Sequence, residues 1–191
     1  MRANFKKRAL AYTIDIIILG LILLGVNIIT YKEEKDINIK LDILNETYLN
    51  QEITFNEYLK EYANISYEID KGNIIYTVVN IIFVIIYFII IPFIFKGRTI
   101  GNKIMKIKLI KEDKLTITSL IIRNLIINGL GYMIISLILI YISKPYRYFI
   151  VTAILSLIQI TLIIIILIGL IKNNNKLVLH DRLSKTKVIC E

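Results

Sequence analysis

A carboxylate inside an apolar span constrains this chain more than any other feature. Residues Ala9 to Ile29 form an almost unbroken apolar run. A helix needs ~20 such residues to cross the hydrocarbon layer of a membrane. Asp15 lies within the run. An ionised carboxylate there costs at least ~2.5 kcal/mol by insertion scales, and such groups face the bundle interior and pair with other polar groups. Arg8 comes seven residues earlier, on the same side of the helix but about 10 Å away along its axis. Contact requires the arginine to stretch inward, so a partner is expected from elsewhere in the chain. A basic start before an apolar run also describes a secretory leader. The length of this run, the Asp15 carboxylate and the lack of a small-x-small cleavage site favour a retained transmembrane helix.

Composition extends the argument. Of 191 residues, 56% are hydrophobic, above the usual range for soluble domains, and the excess is Ile and Leu in long blocks. Three further blocks are of spanning length: 73–95 with Pro92 near its end, 119–142 with Arg123 and Asn124 early in it, and 149–171 with Gln159 near its middle. The fold class expected is an all-α membrane protein with four transmembrane helices. The net charge of +9 suggests nucleic acid in a soluble protein. Here the basic residues collect before the first span, in the 96–118 segment and in the 172–191 tail. That is the positive-inside pattern, and it places both termini in the cytoplasm. The abundance of Ile, Asn and Lys suggests an AT-rich genome, so the expected location is a bacterial cytoplasmic membrane.

The segments between spans differ in kind. Residues 31–72 hold ten acidic residues against five lysines, and this segment is expected outside the cell. Within it, Phe55, Tyr58, Leu59 and Tyr62 recur at helical spacing, and Thr54 with Glu57 has capping-box spacing. An amphipathic helix is expected there, against the outer membrane surface or the helix ends. In the basic loop, Met105, Ile107 and Leu109 alternate with Lys106 and Lys108, the period of a strand. Leu115–Thr118 reads as a returning strand, and Thr186–Cys190 alternates in the same way. The expectation is a small cytoplasmic sheet from 104–118 and 185–190. Its lysines favour anionic lipid headgroups over nucleic acid.

Arg123 starts from the cytoplasmic side of its helix at nearly the depth of Asp15, which makes it the first candidate partner for that carboxylate. Tyr12 and Thr13 flank Asp15 as possible donors. Asn128 and Gln159 lie where they could continue a polar path outward, although Asn and Gln between helices more often serve packing. His180, the single histidine, reads as solvated or as bonded locally to Asp181. No metal-ligand cluster, nucleophile–base spacing or phosphate loop is evident, so neither an enzyme nor a cofactor is expected.

These pieces together resemble the RDD family of small membrane proteins, which is named for one arginine and two aspartates. Arg8 and Asp15 match its arginine-then-aspartate signature in the first helix. Gly97, Thr99, Gly101 and Lys103 match its Gly-x-Thr-x-Gly-Lys-like segment after the second. His180, Asp181, Arg182, Leu183, Thr186 and Val188 match its tail, and Arg123 matches a common arginine of the next helix. Asn102 and Lys106 depart from the pattern, and residues 31–72 and the fourth helix look particular to this chain. The resemblance implies transport of a small ligand, with exchange of monovalent cations for protons suggested for some members. In that reading Asp15 is the exchanging carboxylate, Arg8, Arg123, Asp181 and Arg182 form the surrounding charge cluster, and a homo-oligomer completes the pathway. The alternative is a non-transporting accessory, regulatory or ligand-binding membrane protein in which the Arg/Asp set is structural.

Overall fold

A computed structural model describes residues 2–30, 35–172 and 178–191. Lys32, Glu33 and Glu34 of the acidic segment and Lys176 of the tail lie outside the described residues.

The first helix, α1, runs Phe5–Thr30. Its buried residues are Ala11, Asp15 and Leu19, four apart, so they form one narrow stripe. Asp15 therefore belongs to the packed face, and the rest of the helix presents apolar side chains outward. Two helices follow, α2 (Lys35–Leu49) and α3 (Phe55–Gly72). The Thr54/Glu57 capping box is present at the start of α3. Ile37, Leu44 and Ile65 form a small core between the pair. A row of rings from Tyr48 through Tyr58 and Tyr62 reaches Phe149. The hairpin is also tied to the bundle by Tyr67, which donates to the Ile140 carbonyl at 2.7 Å.

The second apolar block begins as α4 (Ile74–Ile85), widens into a π-helical turn at Ile86–Ile90 and ends as α5 (Ile91–Ile94). Pro92 explains the change of winding. It has no N–H for the carbonyl four residues back, and that carbonyl, on Phe88, accepts from Asn124 Nδ2 at 3.0 Å.

The expected third span is not continuous. It divides into α7 (Ile117–Ile127) and α8 (Leu130–Ile142), which meet at 78°. Asn128-Gly129 makes the break, with Gly129 at φ 63°, a left-handed conformation that glycine adopts without penalty. Gln159 lies over the break and donates to the Ile126 carbonyl at 2.7 Å. It repairs the bend instead of continuing a polar path from Asp15. The last long helix, α9, runs Pro145–Lys172.

Beside the helix ends lie a short helix α6 (Ile100–Ile104), strand β1 (Ile107–Lys111), a short helix α10 (Leu179–Leu183) and strand β2 (Thr186–Cys190). β1 and β2 pair antiparallel, with Leu109 opposite Val188. Arg2 bridges to Ile189, and Ala3 N–H donates to the Val188 carbonyl at 3.1 Å. The start of the chain, the segment after the second span and the tail thus meet in one cap. The returning strand expected at Leu115–Thr118 does not form. Thr116 instead caps α7 by accepting from Ser119 N–H, a use of threonine that competes with strand pairing.

Among the described residues, three helical stretches are long and apolar enough to cross a membrane, Phe5–Ile29, Ile74–Ile94 and Pro145–Lys172, and the bent pair is a fourth if counted as one span. Gln159→Leu removes the donor to the Ile126 carbonyl at the bend. The expected cost is about 1 kcal/mol, read as a lower melting temperature of the detergent-solubilised protein, with Ser156→Ala on the same helix as a control that leaves it unchanged.

Candidate functional site: two buried carboxylates at the cap

Asp15 is 3% exposed and sits in a cradle built by the segment Gly97-Arg-Thr-Ile-Gly101. Gly97 has φ 88°, and a Cβ there would lie 1.9 Å from the Leu109 carbonyl oxygen. Only glycine permits this turn against β1. The turn sets Thr99 at the start of α6, where its Oγ1 accepts from Asn102 N–H and donates to Asp15 Oδ2 at 2.6 Å. Gly101 N–H donates to Asp15 Oδ1 at 2.7 Å. A Cβ on Gly101 would lie 2.1 Å from the Ala11 carbonyl oxygen, so the close approach of α6 to α1 depends on its absence. The third donor is Tyr87 of the π-helical turn, 2.8 Å from Oδ1.

The expected partner, Arg123, is not among these donors, and neither are the flanking residues. Among the described residues, the hydrogen bonds to Asp15 come from a tyrosine hydroxyl, a threonine hydroxyl and a backbone amide. Tyr12 donates to Asn128 Oδ1 at 2.9 Å, and Thr13 is exposed. Asn128 in turn donates to Asn124 Oδ1, so this amide chain leads to the Phe88 carbonyl.

The arginines hold the second carboxylate. Asp181, 1% exposed, accepts from Arg8 Nη2 at 2.7 Å and from Arg123 Nη1. Helical side chains lean toward the N-terminus of their helix. Both α1 and α7 begin at the cap, so both guanidiniums lean toward α10 and away from the deeper Asp15. Thr186 Oγ1 accepts from Arg123 Nη1 at 3.4 Å and lies 2.7 Å from Ser184 Oγ.

His180 is 2% exposed and not solvated. Its Nε2 lies 3.1 Å from Asp181 Oδ1 and 3.3 Å from Arg8 Nη2. Burial, reinforced by the Arg123 charge, pushes its pKa down to about 4. It is therefore neutral at pH 7, and its contact with Asp181 is a hydrogen bond. Burial alone would raise the Asp181 pKa, but Arg123, His180 and Arg8 outweigh it and hold the carboxyl well below the usual range. Arg182 and Lys103 are exposed and take no part in the cluster.

A cavity of about 320 Å³ is bordered by Arg8, Asp15, Arg123, Asn124 and His180 and by apolar residues of α9. The tyrosine donor, Tyr87, and the hydroxyl relay through Ser184 were not among the candidates read from sequence. Tyr87 sits in an apolar block with no local signal of its role.

Apolar helices of spanning length, one of them carrying a buried aspartate, define a multi-pass membrane protein. The RDD family model matches residues 2–185, and the chain belongs to that family. No curated protein and no solved structure matches it.

Two outcomes follow from this geometry. Gly101→Ala forces a methyl group into the Ala11 carbonyl, and overpacking of this kind costs about 1–3 kcal/mol. The folded yield in detergent should fall sharply, whereas Gly20→Ala, where a Cβ meets nothing, should behave as wild type. His180 has a lower pKa folded than unfolded, so the stability it contributes is complete above ~6.5 and is lost as pH falls toward about 4. The melting temperature should drop across that window, and His180→Gln should flatten the drop.

Proposed function

We propose that this protein is a transporter that exchanges a monovalent cation for a proton at Asp15, with the Arg8–Asp181–Arg123 cluster as a fixed clamp. The observation that carries the reading is the character of the Asp15 partners. A carboxylate locked to a guanidinium must break an ion pair to accept a proton or a cation. One held by hydroxyls and an amide need not. The hydroxyls of Thr99 and Tyr87 can each donate to a carboxylate or turn to accept, so the same oxygens serve a bound cation. Asp15 also borders the cavity, which supplies space for an ion and its water.

In this reading the bent pair α7–α8 is one crossing. α7 begins beside the cap, and the far end of α8 accepts from Tyr67 of α3, on the segment between the first two spans. Four crossings then place both termini on one side, and the basic loops make that side the cytoplasm of a bacterial cell. α1 and α9 leave long apolar faces uncovered, available to lipid and to a second copy of the chain that completes a path. The basic cap meets anionic headgroups.

A non-transporting module is the second reading. It is favoured by the tight fit of the cradle, in which Gly101 meets the Ala11 backbone and Asp15 acts as a latch between α1, α6 and the π-helical turn. Asp15→Asn in reconstituted vesicles separates the two. Transport predicts that proton-coupled sodium or potassium flux falls at least tenfold while the melting temperature stays within a few degrees. Flux at the wild-type rate in the folded variant defeats the transport reading.

A further inference from the structure

We propose that the arginine end of the cavity binds one anionic phospholipid from the leaflet on the cap side, with its phosphate at Arg8 and Arg123 and an acyl chain along α9. This site shares the cavity with Asp15 but does not depend on ion exchange there.

Charge comes first. Two guanidiniums share one carboxylate, Asp181, and His180 is neutral above about pH 4, so the cluster carries a surplus positive charge. Within a membrane such a surplus attracts an anion. The donors to receive one are present. Arg8 uses Nη2 and Arg123 uses Nη1 in the contacts described, so among the described residues Nε and the second Nη of each have no protein acceptor. Each arginine side chain is 15% exposed, and both border the cavity. The planar guanidinium fork suits a phosphate. His180 Nδ1 is also buried with no partner among the described residues. Because Nε2–H is spent on Asp181, Nδ1 is an acceptor, suited to a headgroup hydroxyl and not to the phosphate, and His180 borders the same cavity.

Shape then selects an amphiphile over a free anion. Away from the arginines the wall is apolar, formed by Ile163, Ile166, Leu167 and Leu170. The lining residues Tyr12 and Thr13 on α1 and Ile163 and Leu167 on α9 are exposed, so the cavity opens between those two helices toward the bilayer. Arg8 stands three residues into α1, about 5 Å along the axis, which is headgroup depth. Asp15, its oxygens taken by Tyr87, Thr99 and Gly101, keeps the head at the arginine end of the cavity. Basic pockets between spans bind anionic headgroups in this manner.

The test is native mass spectrometry of the purified full-length protein with phosphatidylglycerol, phosphatidylcholine of the same chains, and inorganic phosphate. One phosphatidylglycerol per chain should be retained at concentrations at least tenfold below those needed for phosphatidylcholine. Leu167→Trp fills the chain groove at an exposed position away from the arginines. It should cut retention at least fivefold with the melting temperature unchanged. Millimolar phosphate should not displace the lipid. Equal retention of the two lipids, full retention by Leu167→Trp, or displacement by phosphate alone would each overturn the proposal. Because Asp15→Asn should leave lipid retention intact, failure of ion exchange and failure of this site are read separately.

Discussion

A carboxylate that is almost wholly buried stays charged when the fold brings cations or hydrogen-bond donors to it, and the contacts of Asp181 organise this molecule. The two guanidiniums come from α1 and α7, and the carboxylate from α10 near the end of the chain. Removing one partner of such a pair typically costs 3–5 kcal/mol, because an uncompensated charge is left behind. The pair therefore works as a lock more than as a source of net stability. It joins the first helix, the broken helix and the tail at one point. β1 and β2, with the first residues of the chain beside them, close over that point.

Asp15 follows a different logic a short distance away. Its three donors are neutral and come from two parts of the chain, the π-helical turn and the glycine-bordered turn before α6. Hydroxyls and amides can stabilise a carboxylate in a membrane without fixing its charge state. The two aspartates are thus held differently: Asp181 is clamped by two guanidiniums, and Asp15 is held by two hydroxyls and an amide. The cavity is bordered by Arg8 and Arg123 of the first set and by Asp15 itself.

Irregular backbone in this protein is repaired by side chains. Pro92 frees the Phe88 carbonyl, and Asn124 takes it up. The break at Asn128-Gly129 frees the Ile126 carbonyl, and Gln159 takes that up. Unsatisfied backbone groups are costly in hydrocarbon, and neighbouring polar side chains re-satisfy them where a helix bends. This accounts for Asn124 and Gln159 without assigning them to a pathway.

Much of this was legible in the residues themselves. Apolar length marked the spans, the Thr54/Glu57 pair marked the start of α3, and alternation marked both strands. Arg8, Asp15 and the Gly-x-Thr-x-Gly segment stood out, because a charge in or beside a span must be partnered and paired glycines mark a tight turn, whereas Asp181 was marked only by the family resemblance of the tail. The block at 119–142 was expected as one span and breaks at Asn128-Gly129, and α2 was not expected at all. The pairing of charges was not legible. Depth along a helix suggested Arg123 for Asp15, but side chains lean toward the N-terminus of their helix, and both arginines lean to the cap. The residue types and their order thus determined that this chain enters a membrane and must bury the Asp15 carboxylate; that Asp181 is buried too was decided by the fold. Which arginine meets which aspartate, and that Tyr87 completes the other site, was decided only by the packing of α1 against α6 and α10 against α7, because those contacts join residues too far apart in sequence for any local pattern to record.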